Sequence, residues 1–221
     1  MKTKLTYYSD WEVATMSASE LLLKMFRYQA WANGELMEAM SGLSAEHHPA
    51  ERRFAIRLMN HCLVVSRIFA AHLLGKGHHF TADNTPGTPE LAELRAGLAA
   101  IDRWYLDYLW MVSPAMLSES IPFVFTDGSD GYMTREEMLT HVVTHCGYHR
   151  GEVGRVMAQA SGESDESISL PRDTYAAHLH RTEPSRRFRG RAPLPAVHIA
   201  QEPANATSRM FHAAALLLWD V

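Results

Sequence analysis

The sequence predicts an all-α fold, a four-helix bundle with a short irregular or β-hairpin excursion before the last bundle helix. Four long stretches within the first 160 residues carry apolar residues at helical spacing. Two of them open on capping boxes, Ser17-Ala-Ser-Glu20 and Thr134-Arg-Glu-Glu137, in which the hydroxyl accepts an early amide and the glutamate reaches back. Stop signals at Gly42, Gly75, Gly77 and Pro114 separate the stretches, and no internal repeat competes with this reading.

In order along the chain, the first helix follows Ser17 through Leu21, Leu22, Met25, Tyr28, Trp31, Leu36 and Met40. The second spans about 51–74, with a stripe of Phe54, Leu58, His61, Val65, Ile68 and His72 stepping by four, three, four, three and four. Residues 78–88 hold Asp83-Asn84-Thr85-Pro86-Gly87 and form a loop. Thr88 caps a third helix with Pro89 at its first position, and that helix runs to about Val112. Ile121-Pro-Phe-Val-Phe125 and Thr126-Asp-Gly-Ser-Asp-Gly131 suggest an extended piece and a tight turn, hence a two-stranded excursion. The fourth helix reaches Ala160 before the polar run 163–167, and a shorter helix over 173–179 follows Pro171.

These elements divide the 221 residues into an N-terminal extension (1–16), a bundle with its closing short helix (17–183) and a peripheral or poorly ordered tail (184–221). A helical turn over 213–219 is the one element expected in that tail. The formal charge of −4 and pI near 6.3 argue against a protein that lives on phosphate backbones. The basic cluster Arg181, Arg186, Arg187, Arg189 and Arg191 reads as a solvated tail. Two cysteines make no disulfide framework, so a reducing cytoplasm is expected. The N-terminus lacks the apolar run of a signal peptide, and no stretch approaches the roughly 20 apolar residues of a membrane helix. We therefore expect a soluble protein with no nucleic-acid or membrane partner.

Thirteen histidines are the compositional oddity. The fourth helix contains His141-Val-Val-Thr-His145-Cys-Gly-Tyr-His149. Histidines four apart differ by about 40° around the axis, so both rings leave one face and can meet one ion. His145 pairs in this way with His149 and with His141, but His141 and His149 are two turns apart. A third ligand must come from another helix, and His61, in the middle of the second helix's stripe, is the best candidate. His72 reads as a core residue or one near a helix end. His47, His48, His78 and His79 fall in connections and read as solvated, while His178, His180, His198 and His212 show no site-like spacing. Three imidazoles in an apolar seam each need a polar partner, since an unpaired buried polar group costs about 1–3 kcal/mol. Spacing alone leaves open both a metal site and separately satisfied core histidines.

Tyr28-Gln-Ala-Trp-Ala-Asn33, then Leu58-Met-Asn-His61 with Arg67-Ile-Phe-Ala-Ala-His-Leu73, then Thr134-Arg-Glu-Glu-Met-Leu139 and His145-Cys-Gly-Tyr-His-Arg-Gly151 closely resemble the DinB/YfiT-like family. This is the DNA-damage-inducible four-helix-bundle family, not the polymerase that shares the name. The resemblance covers about 17–187, and Asp173-Thr-Tyr-Ala-Ala-His-Leu-His-Arg-Thr-Glu-Pro184 looks like the closing segment of some members. It implies a divalent metal held by three histidines, one on the second helix and two on the fourth, at positions matching His61, His145 and His149. It also implies a dimer through bundle faces. Ser66 stands where many members have an acidic residue, and Glu152 where glutamine is common.

Three neutral imidazoles leave open positions on the ion, the catalytic rather than the structural arrangement. Such an ion lowers the pKa of bound water toward about 7 or activates a thiolate. Cys146 stands where a zincin has its glutamate, so peptidase chemistry is disfavoured. The resemblance implies a metal-dependent transferase using a low-molecular-weight thiol, or a hydrolase, acting on a small electrophile. The alternative is a non-catalytic metal-binding stress-response protein. Imidazole-only sites accept zinc, nickel, iron or copper, so the metal is left open. Cys62 and Cys146 read as small buried hydrophobes, Tyr148 and Arg150 either as residues lining the site beside His149 or as a packing tyrosine and a surface arginine, and Tyr28, Trp31 and Asn33 as packing and helix-contact residues.

Overall fold

Ser17 accepts from the Glu20 amide while the Glu20 side chain accepts from the Ser17 amide, and this capping box starts α1 (Ala18–Ser41). The structure, a computed structural model, describes residues 17–163 and 170–186. Expectations for 1–16, for the polar run after Glu163 and for the tail beyond Arg186, including His198 and His212, fall outside the described residues. The chain separates into two units, Met1–Glu183 and Pro184–Val221; the second is described only over the 3-10 turn Pro184–Arg186.

Within the first unit, α2 (Pro49–Leu73) starts with proline in its first turn. It ends in a Schellman motif: the amides of Gly75 and Lys76 donate to the carbonyls of His72 and Ala71. Gly75 adopts φ +63°, the left-handed conformation such an end requires. The third bundle helix, α3 (Leu91–Met111), begins two residues later than Thr88 and Pro89 suggest, with Glu90 as cap and no side-chain capping bond. A single turn, α4 (Pro114–Leu117), then leads into the antiparallel hairpin of β1 (Ser120–Val124) and β2 (Asp130–Thr134). Its register pairs Ser120 with Thr134 and Val124 with Asp130. The second capping box, with both Thr134–Glu137 bonds formed, opens α5 (Arg135–Glu163). The closing helix α6 (Tyr175–Thr182) is capped by the Thr174 hydroxyl.

The four long helices form the bundle, and the excursion is the hairpin. Their order around the bundle is α1, α3, α2, α5, so α1 and α2, though consecutive, lie diagonally. The α2–α5 seam is the most extensively packed, and α2 also approaches α3 closely: a Cβ on Gly97 would lie 2.7 Å from Leu63 Cδ2. The core is filled by Phe26, Met37, Met40, Met59, Leu94, Leu98, Tyr105, Met138 and Leu139.

Two expectations about α2 are corrected. Phe54 is 45% exposed, because in the first turns of α2 the innermost face carries Ala55 and Met59, and the four-three stripe is buried only from Val65 through Ile68 to His72. By length and composition α2 would also pass for a membrane span, although the sequence was expected to hold none. Two-thirds of its most apolar window is buried by the other elements, as a core helix requires.

Candidate metal centre

His61 on α2 and His145 and His149 on α5 meet across the α2–α5 seam. The Nε2 atoms of His61 and His145 lie 2.9 Å apart, and those of His149 and His145 3.2 Å apart. Nitrogens bound to one ion at about 2.0–2.1 Å are separated by about 2.9–3.4 Å, so this spacing fits a shared cation. The side chains of His61 and His149 are 17% and 16% exposed, leaving the cluster within reach of solvent.

The outer nitrogens show which tautomers are present. His61 Nδ1 lies 2.8 Å from the Asp83 carbonyl oxygen, which can only accept, so Nδ1 carries the proton. His149 Nδ1 likewise faces the Glu152 carboxylate at 2.6 Å. In the neutral rings both Nε2 atoms therefore present lone pairs toward His145. A proton on His145 Nε2 can serve only one of them. Burial also holds the His61 pKa below its usual 6.5, favouring the neutral ring a ligand needs. Carboxylate and carbonyl partners on the outer nitrogens are the means by which metal-binding histidines are oriented. The donor set thus fits a divalent cation.

Asn60, adjacent to His61, donates to Asn84 Oδ1 and Thr85 Oγ1, and Arg57 donates to the Gly87 carbonyl. The 83–87 loop is fastened there, which places the Asp83 carbonyl over His61. On the other flank a polar network runs through the bundle. Arg150 donates to Asp173 and to Asn33, Asn33 and Gln29 donate to Asp102, and Tyr28 donates to Asp173. Arg150 is 2% exposed, which excludes the surface-arginine reading, because Asp173 meets its charge inside the bundle. Asn33 is a member of this network rather than a simple contact, while Tyr148 is 68% exposed.

A family model described as the DinB family matches residues 16–186. The chain belongs to the DinB family. No curated protein and no solved structure matches it. In this DinB-family chain His141 stacks on His145, with ring centroids 5.3 Å apart, and packs against Phe69, but belongs to neither convergent donor group. His72 is buried, as expected, beside Phe123 and His78. A cavity of about 630 Å³ lies there between the end of α2 and the hairpin, lined by His72, His78, Phe80 and Phe123 among others.

Two readings change, those of His48 and of the cysteines. His48, at the N-cap position of α2, is buried and not solvated. His178 is buried against Tyr28, Trp31 and Tyr175. Cys62 and Cys146 are buried thiols as expected, but their sulfurs converge with a ring nitrogen of His145 in a second donor group. The signal was present in the sequence: each cysteine follows a site histidine by one residue, on the two helices that share a seam.

Proposed function

We propose that this protein holds one divalent cation on the Nε2 atoms of His61, His145 and His149 and uses it on a small-molecule substrate. The observation that carries this reading is the pair of fixed lone pairs, on His61 and His149, aimed at the same nitrogen of His145. When bound, such an ion acts as a Lewis acid that makes a coordinated thiol or water nucleophilic near neutral pH. The chain's own residues supply orientation: Asp83 and Glu152 hold two rings in the binding tautomer, and Arg150 fixes α5 immediately after His149. With only three protein donors, positions remain for a low-molecular-weight thiol and a small electrophile. We read the chain as a metal-dependent thiol transferase or hydrolase, working in the reducing cytoplasm.

Metal analysis of the purified full chain tests the site, with a stoichiometric ion expected in the wild type and none in His145→Ala. Unchanged metal content in that variant contradicts the assignment. A screen of the loaded protein with cellular thiols against epoxides and haloaromatics then tests the reaction. Acceleration by the wild type but not by His145→Ala supports it. No acceleration with any pair returns the protein to the non-catalytic stress-response reading.

A further inference from the structure

Beneath the histidine cluster lies a second set of donors. The sequence has two cysteines, and both are in it. Cys62 on α2 and Cys146 on α5 are 0% and 1% exposed, and their Sγ atoms and a ring nitrogen of His145 all lie within 4.8 Å of one another. We propose that Cys62, Cys146 and His145 form an alternative, sulfur-rich site, sharing His145 with the histidine set, for a thiophilic divalent cation of the zinc and cadmium class.

Geometry, partner accounting and charge each support it. Around a tetrahedral zinc, two thiolates sit about 3.8 Å apart and a thiolate and an imidazole about 3.6 Å apart, so ligation needs at most about 1 Å of closure. His145 Nδ1 is buried with no hydrogen-bond partner among the described residues, and the Cys146 thiol is the group that the His145 ring interacts with. Its Nε2 faces His61 and His149, so Nδ1 is the nitrogen left over, and a buried orphan of this kind is unfavourable by about 1–3 kcal/mol. Two thiolates and one divalent ion sum to zero charge, which the apolar seam accommodates where a monovalent ion would leave a buried negative charge. The two thiol protons leave to solvent on binding. Ser66 Oγ lies 3.7 Å from Cys146 Sγ and can donate to the thiolate. A neutral imidazole offers one lone pair, so His145 serves one ion at a time. A thiophilic ion in the sulfur set withdraws His145 from the histidine set.

Cadmium(II) titration of the metal-stripped full chain, kept reduced with a phosphine, tests the site through sulfur-to-cadmium charge-transfer absorption. The wild type should develop the band and saturate at one equivalent per chain. Cys62→Ser and Cys146→Ser should each lose at least half of it. His61→Ala, in which the histidine set is broken, should keep it, so the two sites fail separately. Absence of the band in the wild type overturns the proposal without reference to any variant's folding. A band unchanged in Cys62→Ser, or lost in His61→Ala, overturns it as well.

Discussion

His149 is oriented by a carboxylate one turn along its own helix, and that contact sets a prediction. Glu152→Gln keeps an acceptor for Nδ1 but removes the negative charge that strengthens the ring as a ligand. Outer partners of this kind are worth about 10–100-fold in metal affinity, and the conservative change should cost about 10-fold in a competition titration against a chromophoric chelator. His141→Ala should leave stoichiometry intact, because His141 stacks on His145 without joining the convergent nitrogens. Loss of the ion in that variant would move the site one turn up α5. The i, i+4 spacing made the His145–His149 pair legible and the stripe of the second helix offered His61 as its partner; the family resemblance then chose this trio and set His141 aside. Asp83 was not legible, because a backbone carbonyl from a loop leaves no mark in residue type. Nor was the inward path of Arg150, which depends on Asp173 arriving from a distant segment.

At the level of elements, α6 and the strand of chain before it fasten α1 to α5. Asp173 meets Arg150, whose side chain is 1% exposed, and Tyr28 of α1 donates to the same carboxylate. Asp173→Ala would leave the buried guanidinium without its counter-charge, with the Asn33 hydrogen bond remaining. We expect a loss of about 3 kcal/mol in urea unfolding, the low end of the range for a broken buried pair because Asp173 is itself partly exposed. Between α1 and α3, burial raises the pKa of Asp102 to about 6, against the opposing hydrogen bonds of Asn33 and Gln29. The folded state thus holds this proton more tightly than the unfolded chain, whose carboxyl titrates near 3.8. Its contribution to stability is complete below about pH 4 and is lost as pH rises through 6, at most about 3 kcal/mol. With metal removed, the wild type should lose stability relative to Asp102→Asn across that window. The variant also offers an N–H to Gln29 Oε1, which has no partner among the described residues. A constant difference between the two proteins from pH 4 to 7 would contradict the assignment. The helices themselves were readable because both capping boxes and the apolar periodicity agree. The start of α3 was misplaced because Thr88 and Pro89 resemble a cap that the backbone passes by.

For the whole molecule, the diagonal placement of α1 and α2 is what brings His61 to the α5 pair, and nothing in the periodicity of single helices announces that order. An ion bound only by the folded bundle couples the site to global stability. At 100 times its Kd it adds about 2.7 kcal/mol, which for a chain of this size raises Tm by about 5–11 °C, reversed by chelator. The central claim is that three imidazoles from α2 and α5 share one ion. Anomalous diffraction from a crystal of the metal-loaded chain tests it most directly. The account predicts one peak about 2 Å from the Nε2 atoms of His61, His145 and His149. A structure in which those three nitrogens surround no peak while the ion lies elsewhere would contradict it.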